Sequence, residues 1–177
     1  MALEALIIEF SAPVDLIAIG FFCQTPPISP KNMKIVLQRV SEASVTVKGK
    51  VIASISKGVL ILFGAEKNDD EGKVQFLVEK TLNLRIFPDE KGKMNLSCLD
   101  IGGNILVVSQ FTLAGNCSKG RRPGFDNAAA PDVASLLYQK FIQQVSESGL
   151  KVATGEFGAD MQVELVNDGP VTFILER

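Results

Sequence analysis

Two nearly continuous apolar runs constrain the fold more than any other feature of this chain. They are GVLILFGAE at residues 58–66 and NILVVSQFTLAG at residues 104–115. A strand with one solvated face alternates apolar and polar residues, whereas these runs do not. Each run therefore predicts a strand that is buried on both of its faces.

The other elements are predicted by the spacing of apolar residues. Residues 68–84 and 131–149 have apolar side chains at helical spacing, and we expect Leu136, Leu137 and Phe141 to form a core stripe of the second helix. Further β-type segments are KIVLQRV (34–40), ASVTVKGKVIASI (43–55, turning at Lys48-Gly49-Lys50), RIFPDEKGKMNLS (85–97), LKVATGEF (150–157), MQVELVN (161–167) and VTFILE (171–176). Two helices packed on mixed or antiparallel sheet give an α+β fold.

Residues 1–32 differ in character from the rest of the chain. Glu4, Glu9 and Asp15 interrupt an apolar stretch that has no basic amino-terminal region, and its longest uncharged part is too short to span a bilayer. Strong β-type patterning begins only at Met33. We expect a single domain over residues 33–177, preceded by an extension that is disordered or belongs to a wrongly assigned start.

Composition restricts the chemistry. The chain has no histidine, and its three cysteines form no CxxC pair. This excludes a Ser-His-Asp triad, a Cys-His pair and HExxH zinc chemistry, and we expect neither a metal nor a cofactor. The cysteines favour a reducing compartment. A net charge of -2 leaves any RNA contact to local basic patches.

The best candidate for a site is the end of the second apolar run. Ser109, Gln110 and Thr112 are polar residues at a strand end, where they could simply satisfy local backbone groups. Thr112 could instead be a nucleophile, although no base is visible nearby in sequence. The favoured functional hypothesis is that main-chain N–H groups around Phe111 and Thr112 form an oxyanion hole, while Gln110 orients the substrate.

A basic loop follows soon after this strand end. KGRRPGF places Lys119, Arg121 and Arg122 on a glycine-rich loop. Such a run is usually a solvated loop, but the same residues could clamp phosphate groups beside the site.

The segment NDGPVT lies between two β-type runs and holds Gly169 and Pro170, the residues that a sheet tolerates least. Asn-Asp-Gly is a strong turn signal, so the residues alone favour a hairpin. The alternative is a rigid Gly-Pro device that presents backbone atoms to a ligand.

The sequence resembles the D-aminoacyl-tRNA deacylases, from Met33 to its end. The specific signal is SQFTL (109–113) together with NDGPVT (167–172). Further matches are LQRV (37–40), ASVTV (43–47), RIFPDEKGKMN (85–95) and GRRPGF (120–125).

The resemblance implies a barrel-like core with two packed helices, and a cytoplasmic homodimer with its active sites at the subunit interface. The reaction implied is hydrolysis of the ester between a D-amino acid or glycine and the terminal adenosine of tRNA, without a cofactor or a membrane. Ser109, Gln110, Phe111 and Thr112 would line the pocket, and the ribose 2′-hydroxyl would help to activate water.

The resemblance also assigns Gly169 and Pro170 to a Gly-cis-Pro element that enters the partner's pocket. Its carbonyl groups would collide with an L side chain and leave room for a D one. Arg39 would brace it. The phosphate clamp expected from Lys119, Arg121 and Arg122 would then act on the RNA acceptor end.

Three alternatives stay open. One is a broader esterase with Thr112 or Ser109 as a covalent nucleophile. Another is a module that binds the acceptor end without turnover. The third is a related deacylase whose Gly-Pro bond is trans and which accepts some L-aminoacyl-tRNAs.

Overall fold

The computed structural model describes residues 33–177; the extension expected over residues 1–32 lies outside this range. The strands are β1 (Lys34–Val47), β2 (Lys50–Ile55), β3 (Gly58–Gly64), β4 (Phe87–Pro88), β5 (Met94–Leu96), β6 (Asn104–Ser109), β7 (Val152–Thr154) and β8 (Met161–Glu176). The helices are α1 (Glu71–Asn83) and α2 (Pro131–Ser146), and a single 3₁₀ turn covers Phe111–Ala114.

Strand β1 organises the main sheet. It is antiparallel to β2, β3 and β8, and β8 pairs with it along nearly its whole length. The sheet then continues in parallel from β3 to β6 and from β6 to β7. Because β1 exchanges its neighbour β3 for β2 midway along its length, the sheet curls around it into a nearly closed, barrel-like form. The predicted α+β class with a mixed, barrel-like sheet is confirmed.

Strands β3 and β6 are buried on both faces, as their apolar runs predict. Ile61 and Val107 face a core beneath the two helices, whereas Leu60 and Leu106 face a second core on the opposite side. All four side chains are 0% exposed. The two cores therefore fix the position of the end of β6.

Helix α2 covers the first core with a narrower stripe than expected. Leu137, Phe141 and Val145 are buried, but Leu136 is 62% exposed, so its assignment to the core was wrong. Adjacent helical residues point about 100° apart, so Leu136 cannot share the face of Leu137. No helix among residues 33–177 is long and apolar enough to cross a membrane.

The hairpin that the residues alone favour at 167–172 is not formed. Strand β8 runs through the segment in one direction, and both halves are antiparallel to β1. Asn167 is opposite Val40 and Thr172 is opposite Gln38, so the residues between them bulge out opposite Arg39 alone. A hairpin would reverse the chain, which the pairing of both halves with one long partner strand prevents. The turn predicted at Lys48-Gly49 is confirmed, with positive φ at both residues.

Truncation of Phe141 tests the helix-covered core. Its ring is 0% exposed and its centroid lies 5.2 Å from that of Phe63. We expect Phe141→Ala to lower the free energy of unfolding by about 3–5 kcal/mol, measured by urea denaturation, because it leaves a cavity. Leu136→Ala, on the same helix, should change it by no more than about 0.5 kcal/mol. Equal losses in the two variants would contradict this assignment of the core face.

Candidate active site

The end of β6 forms one wall of a cavity of about 530 Å³. Ser109, Gln110 and Phe111 line it, while Thr112 does not. The N–H group of Gln110 donates to the carbonyl oxygen of Phe63 over 2.7 Å, which extends the β3–β6 ladder by one residue. The structure thus brings three of the four predicted strand-end residues to one cavity wall.

The chain turns sharply after Gln110 and leaves main-chain donors at the cavity rim. Leu113 N–H donates to the Gln110 carbonyl oxygen over 3.2 Å and closes the 3₁₀ turn. The first N–H groups of a helical turn have no acceptor within it. Those of Phe111 and Thr112 occupy these positions, which suits them to stabilise negative charge on a bound oxygen.

The side chain of Thr112 is engaged by its neighbour. Its hydroxyl oxygen accepts a hydrogen bond from Nε2 of Gln110 over 2.6 Å. An amide donor cannot remove the hydroxyl proton, so this contact gives Thr112 no general base. Thr112 and Gln110 are therefore arranged as a polar pair at the rim.

The opposite wall comes from parts of the chain that the sequence analysis did not single out. It is formed by the small residues Ala128 and Ala129 before α2 and by residues 157–161, which lead into the first residue of β8. Of the described residues that line this cavity, Asp160 alone is acidic. In the sequence, only the run of small residues before Pro131 could have indicated this wall. Such runs are too common in proteins to identify the wall of a cavity.

Tyr138 joins the two walls from below. Its hydroxyl donates to the carbonyl oxygen of Val107 over 2.9 Å, and its ring centroid lies 5.8 Å from that of Phe157. Burial raises the pKa of Tyr138, so the phenol stays protonated and remains a donor. It therefore ties β6 to the loop that carries Phe157.

A second feature is the bulge of β8, residues 168–171. Arg39 is only 8% exposed and lies beneath it. Its Nε donates to the main-chain oxygen of Asp168 over 2.9 Å and lies 3.2 Å from Oδ2 of the same residue. Its Nη1 donates to the carbonyl oxygen of Ile86. The guanidinium thus links the bulge to the chain just before β4.

Position 169 requires glycine. Its φ is +133°, and a Cβ there would lie 2.7 Å from Cγ2 of Val171 and 2.9 Å from Nη2 of Arg39. A side chain would meet both an unfavourable backbone conformation and two close neighbours. The peptide bond between Gly169 and Pro170 is cis. Both residues are exposed.

Asn167 holds the neck of the bulge. Its Oδ1 accepts from the N–H of Val171 over 2.8 Å, and its Nδ2 donates to Oγ1 of Thr172 over 2.8 Å. In the sequence, Asn167 belongs to a turn signal and to the NDGPVT motif, neither of which predicts these bonds. Its bonds instead connect the two points where β8 leaves and rejoins the sheet.

The bulge and the basic loop do not line the cavity of their own chain. Gly169, Pro170 and Arg39 are absent from its walls, as are the exposed Lys119, Arg121 and Arg122. Paired main-chain hydrogen bonds between Asn116 and Gly124 close the basic loop, with lengths of 2.7 and 2.9 Å. At the cavity rim, the ring of Phe125 contacts that of Phe111.

The fold agrees with two solved structures. One, titled c-Myc DNA Unwinding Element Binding Protein, superposes with a TM-score of 0.78 at 43% identity and covers 82% of this chain and 99% of its own. Another, titled as a probable eukaryotic D-amino acid tRNA deacylase, gives a TM-score of 0.72 at 20% identity, covers 82% of this chain and 100% of its own, and supports the fold alone. Fold and cavity together define an α+β protein with a mixed, barrel-like sheet and a cavity at the end of β6.

Sequence relatives give the family. The family model described as D-Tyr-tRNA(Tyr) deacylase matches residues 36–176. The D-aminoacyl-tRNA deacylase of Pelobacter propionicus is 60% identical over 145 residues, which is 82% of this chain and 100% of the relative. That of Geotalea daltonii is 61% identical over 144 residues, 81% of this chain and 96% of the relative. The chain belongs to the D-aminoacyl-tRNA deacylase family and is a hydrolase.

The neck of the bulge can be tested by Asn167→Ala. The change removes the acceptor of the Val171 N–H, and Val171 is only 5% exposed. An unsatisfied buried donor costs about 1–3 kcal/mol. We expect faster hydrogen exchange at the Val171 amide and a comparable loss of stability in urea. Gln162→Ala, at an exposed position of the same strand, is the control. Unchanged exchange at Val171 would show that Asn167 does not hold the bulge.

Proposed function

We propose that this protein hydrolyses the ester between a D-amino acid, or glycine, and the terminal adenosine of tRNA, and that it rejects L-aminoacyl esters. The observation that carries the proposal is the strand end formed by Ser109, Gln110 and Phe111 on the wall of a cavity of about 530 Å³. Family membership supports the substrate class. The absence of histidine from the chain favours a mechanism based on main-chain groups and the substrate.

The reaction needs few protein groups. Water attacks the ester carbonyl carbon, and the N–H groups of Phe111 and Thr112 stabilise the resulting oxyanion. The ribose 2′-hydroxyl helps to activate the water, and the proton that the water loses as the new C–O bond forms is passed to the ribose oxygen that leaves. The bond between the carbonyl carbon and the ribose oxygen breaks as that oxygen takes this proton. Ser109 and Gln110 hold the terminal nucleoside in place, and free amino acid and tRNA leave.

Selection is assigned to the bulge of a partner subunit. Gly169 and Pro170 project from the sheet, are braced from beneath by Arg39, and do not line the cavity of their own chain. Their carbonyl oxygens would occupy the space that an L side chain needs, while a D side chain points away. This is selection by steric exclusion, and it requires the rigid support that Arg39 and Asn167 supply.

The surface around the bulge supports a homodimer. Strand β8 pairs only with β1 among the described strands, which leaves one edge open. Val166 is 50% exposed and Ile174 is 67% exposed on this strand. An open edge with exposed apolar side chains is suited to an interface. We assign the dimer contact to this region and place the enzyme in the cytoplasm, with Lys119, Arg121 and Arg122 on acceptor-end phosphates.

The proposal is tested by deacylation of D- and L-tyrosyl-tRNA. We expect the full chain to release the D form at least about 100-fold faster than the L form, a difference of roughly 2.7 kcal/mol. Gly169→Ala should reduce activity or selectivity, because the added Cβ displaces the bulge. Gly149→Ala is the matched control, since its φ is +79° but its Cβ would meet nothing within 4 Å.

Each other outcome contradicts a different part of the proposal. Release of both forms at similar rates would remove the chiral filter and favour a broader esterase. Release of neither form would remove the hydrolytic function and favour a module that only binds the acceptor end. An acyl-enzyme that depends on Thr112 would overturn the main-chain mechanism.

The cross-subunit arrangement can be tested by complementation. Gln110→Ala damages the cavity and Gly169→Ala damages the bulge, so each homodimer should be impaired. In a mixed dimer, one site carries both changes and the other carries neither. After random subunit exchange in a two-fold symmetric dimer, about a quarter of all sites should be wild type, and D-selective activity should rise accordingly. If cavity and bulge act within one chain, mixing will restore nothing.

A further inference from the structure

Two aromatic rings lie side by side at the cavity rim and are open to solvent. Phe111 is 60% exposed and Phe125 is 37% exposed. Their ring centroids are 5.1 Å apart, with an angle of 53° between the ring planes. Exposed apolar side chains that cluster at the edge of a cavity mark a binding surface more often than isolated ones do. We call these two residues the aromatic platform.

The platform is held in place by its own backbone. A Cβ at Gly115 would lie 3.1 Å from Cε1 of Phe125, so the ring packs directly over this glycine. The paired hydrogen bonds between Asn116 and Gly124 fix the residue that precedes Phe125. The N–H of Ala128 donates to the Phe125 carbonyl oxygen over 3.0 Å. The platform is therefore preorganised, which lowers the entropic cost of binding.

Positive charge lies on the same loop. Lys119, Arg121 and Arg122 are exposed between Asn116 and Phe125. Arg122 is three residues from Phe125, so their Cα atoms are at most about 11 Å apart. Aromatic faces beside lysine and arginine are typical of surfaces that bind single-stranded nucleic acid, where bases stack and cations contact the backbone. This charge favours a nucleic acid over an apolar protein segment as the occupant.

We propose that the aromatic platform stacks the base of the nucleotide that precedes the terminal adenosine, while the basic loop contacts the adjoining phosphates. The inference rests on the proposed function and extends it by one nucleotide. Phe111 both lines the cavity and contacts Phe125, so the platform begins where the terminal nucleoside leaves the cavity. Because every base has a stacking face, this subsite binds without selecting a particular base.

Phe125→Leu tests the platform with two substrates, D-tyrosyl-tRNA and 2′(3′)-O-D-tyrosyladenosine, which has no preceding nucleotide. Loss of one stacked base should raise KM for the tRNA by about 5- to 150-fold with little change in kcat. The adenosine ester should be hydrolysed as by the wild type. Phe125→Tyr, which keeps an aromatic face, should restore the KM for the tRNA.

Other outcomes separate this inference from the proposed function. Equal impairment with both substrates, or none with either, would overturn the platform and leave the deacylase function standing. If the wild type hydrolyses neither substrate, binding can be measured instead with a short RNA that ends in adenosine and has 2-aminopurine as the preceding base. Its fluorescence should change on binding to the wild type and to Phe125→Tyr but not to Phe125→Leu. Identical changes with all three proteins would overturn the platform.

Discussion

The register of β8 on β1 is the constraint on which the rest of the structure depends. Both halves of β8 are antiparallel to the same strand, from Lys34 opposite Glu176 to Val47 opposite Met161. Both ends of β8 are fixed by this pairing. The four residues between Asn167 and Thr172 face only Arg39 on β1, so they cannot all pair with β1 and must leave the sheet. The protrusion is thus a consequence of pairing on either side of it. Its position can shift only if many ladder hydrogen bonds are broken.

The buried charge beneath the bulge is the guanidinium group of Arg39, and the bulge supplies part of what this group needs. A guanidinium that is 8% exposed needs acceptors, and it finds main-chain oxygens at Asp168 and Ile86 together with the carboxylate of Asp168. Removing one partner of such a group leaves a buried charge uncompensated. Lysine could not reproduce the arrangement, because the planar fork of arginine reaches acceptors in several directions at once. The bulge is therefore supported from below by a group that cannot easily be replaced.

Much of this fold follows from local patterns, and the site follows only in part. The apolar runs of β3 and β6 predicted burial on both faces, and Lys48-Gly49 predicted a turn, because each signal is local. Asn-Asp-Gly also signalled a turn, but the outcome there was decided by β1, which lies far away in sequence. The wall formed by Ala128 and residues 157–161 depends in the same way on distant packing. Tyr138 gave no signal because a tyrosine in an amphipathic helix is ordinarily a core residue.

In the proposed function, catalysis and selection make different demands on the backbone, and the chain would meet them at separate places. The proposed oxyanion donors, the N–H groups of Phe111 and Thr112, follow a strand buried between two cores, which would fix their direction before substrate binds. The bulge needs the opposite setting, since a group that must enter a pocket has to project from the sheet. Gly169 and Pro170 are exposed and do not line the cavity of their own chain. In the proposed dimer, two-fold symmetry resolves this conflict, because each subunit supplies the filter for its partner's cavity.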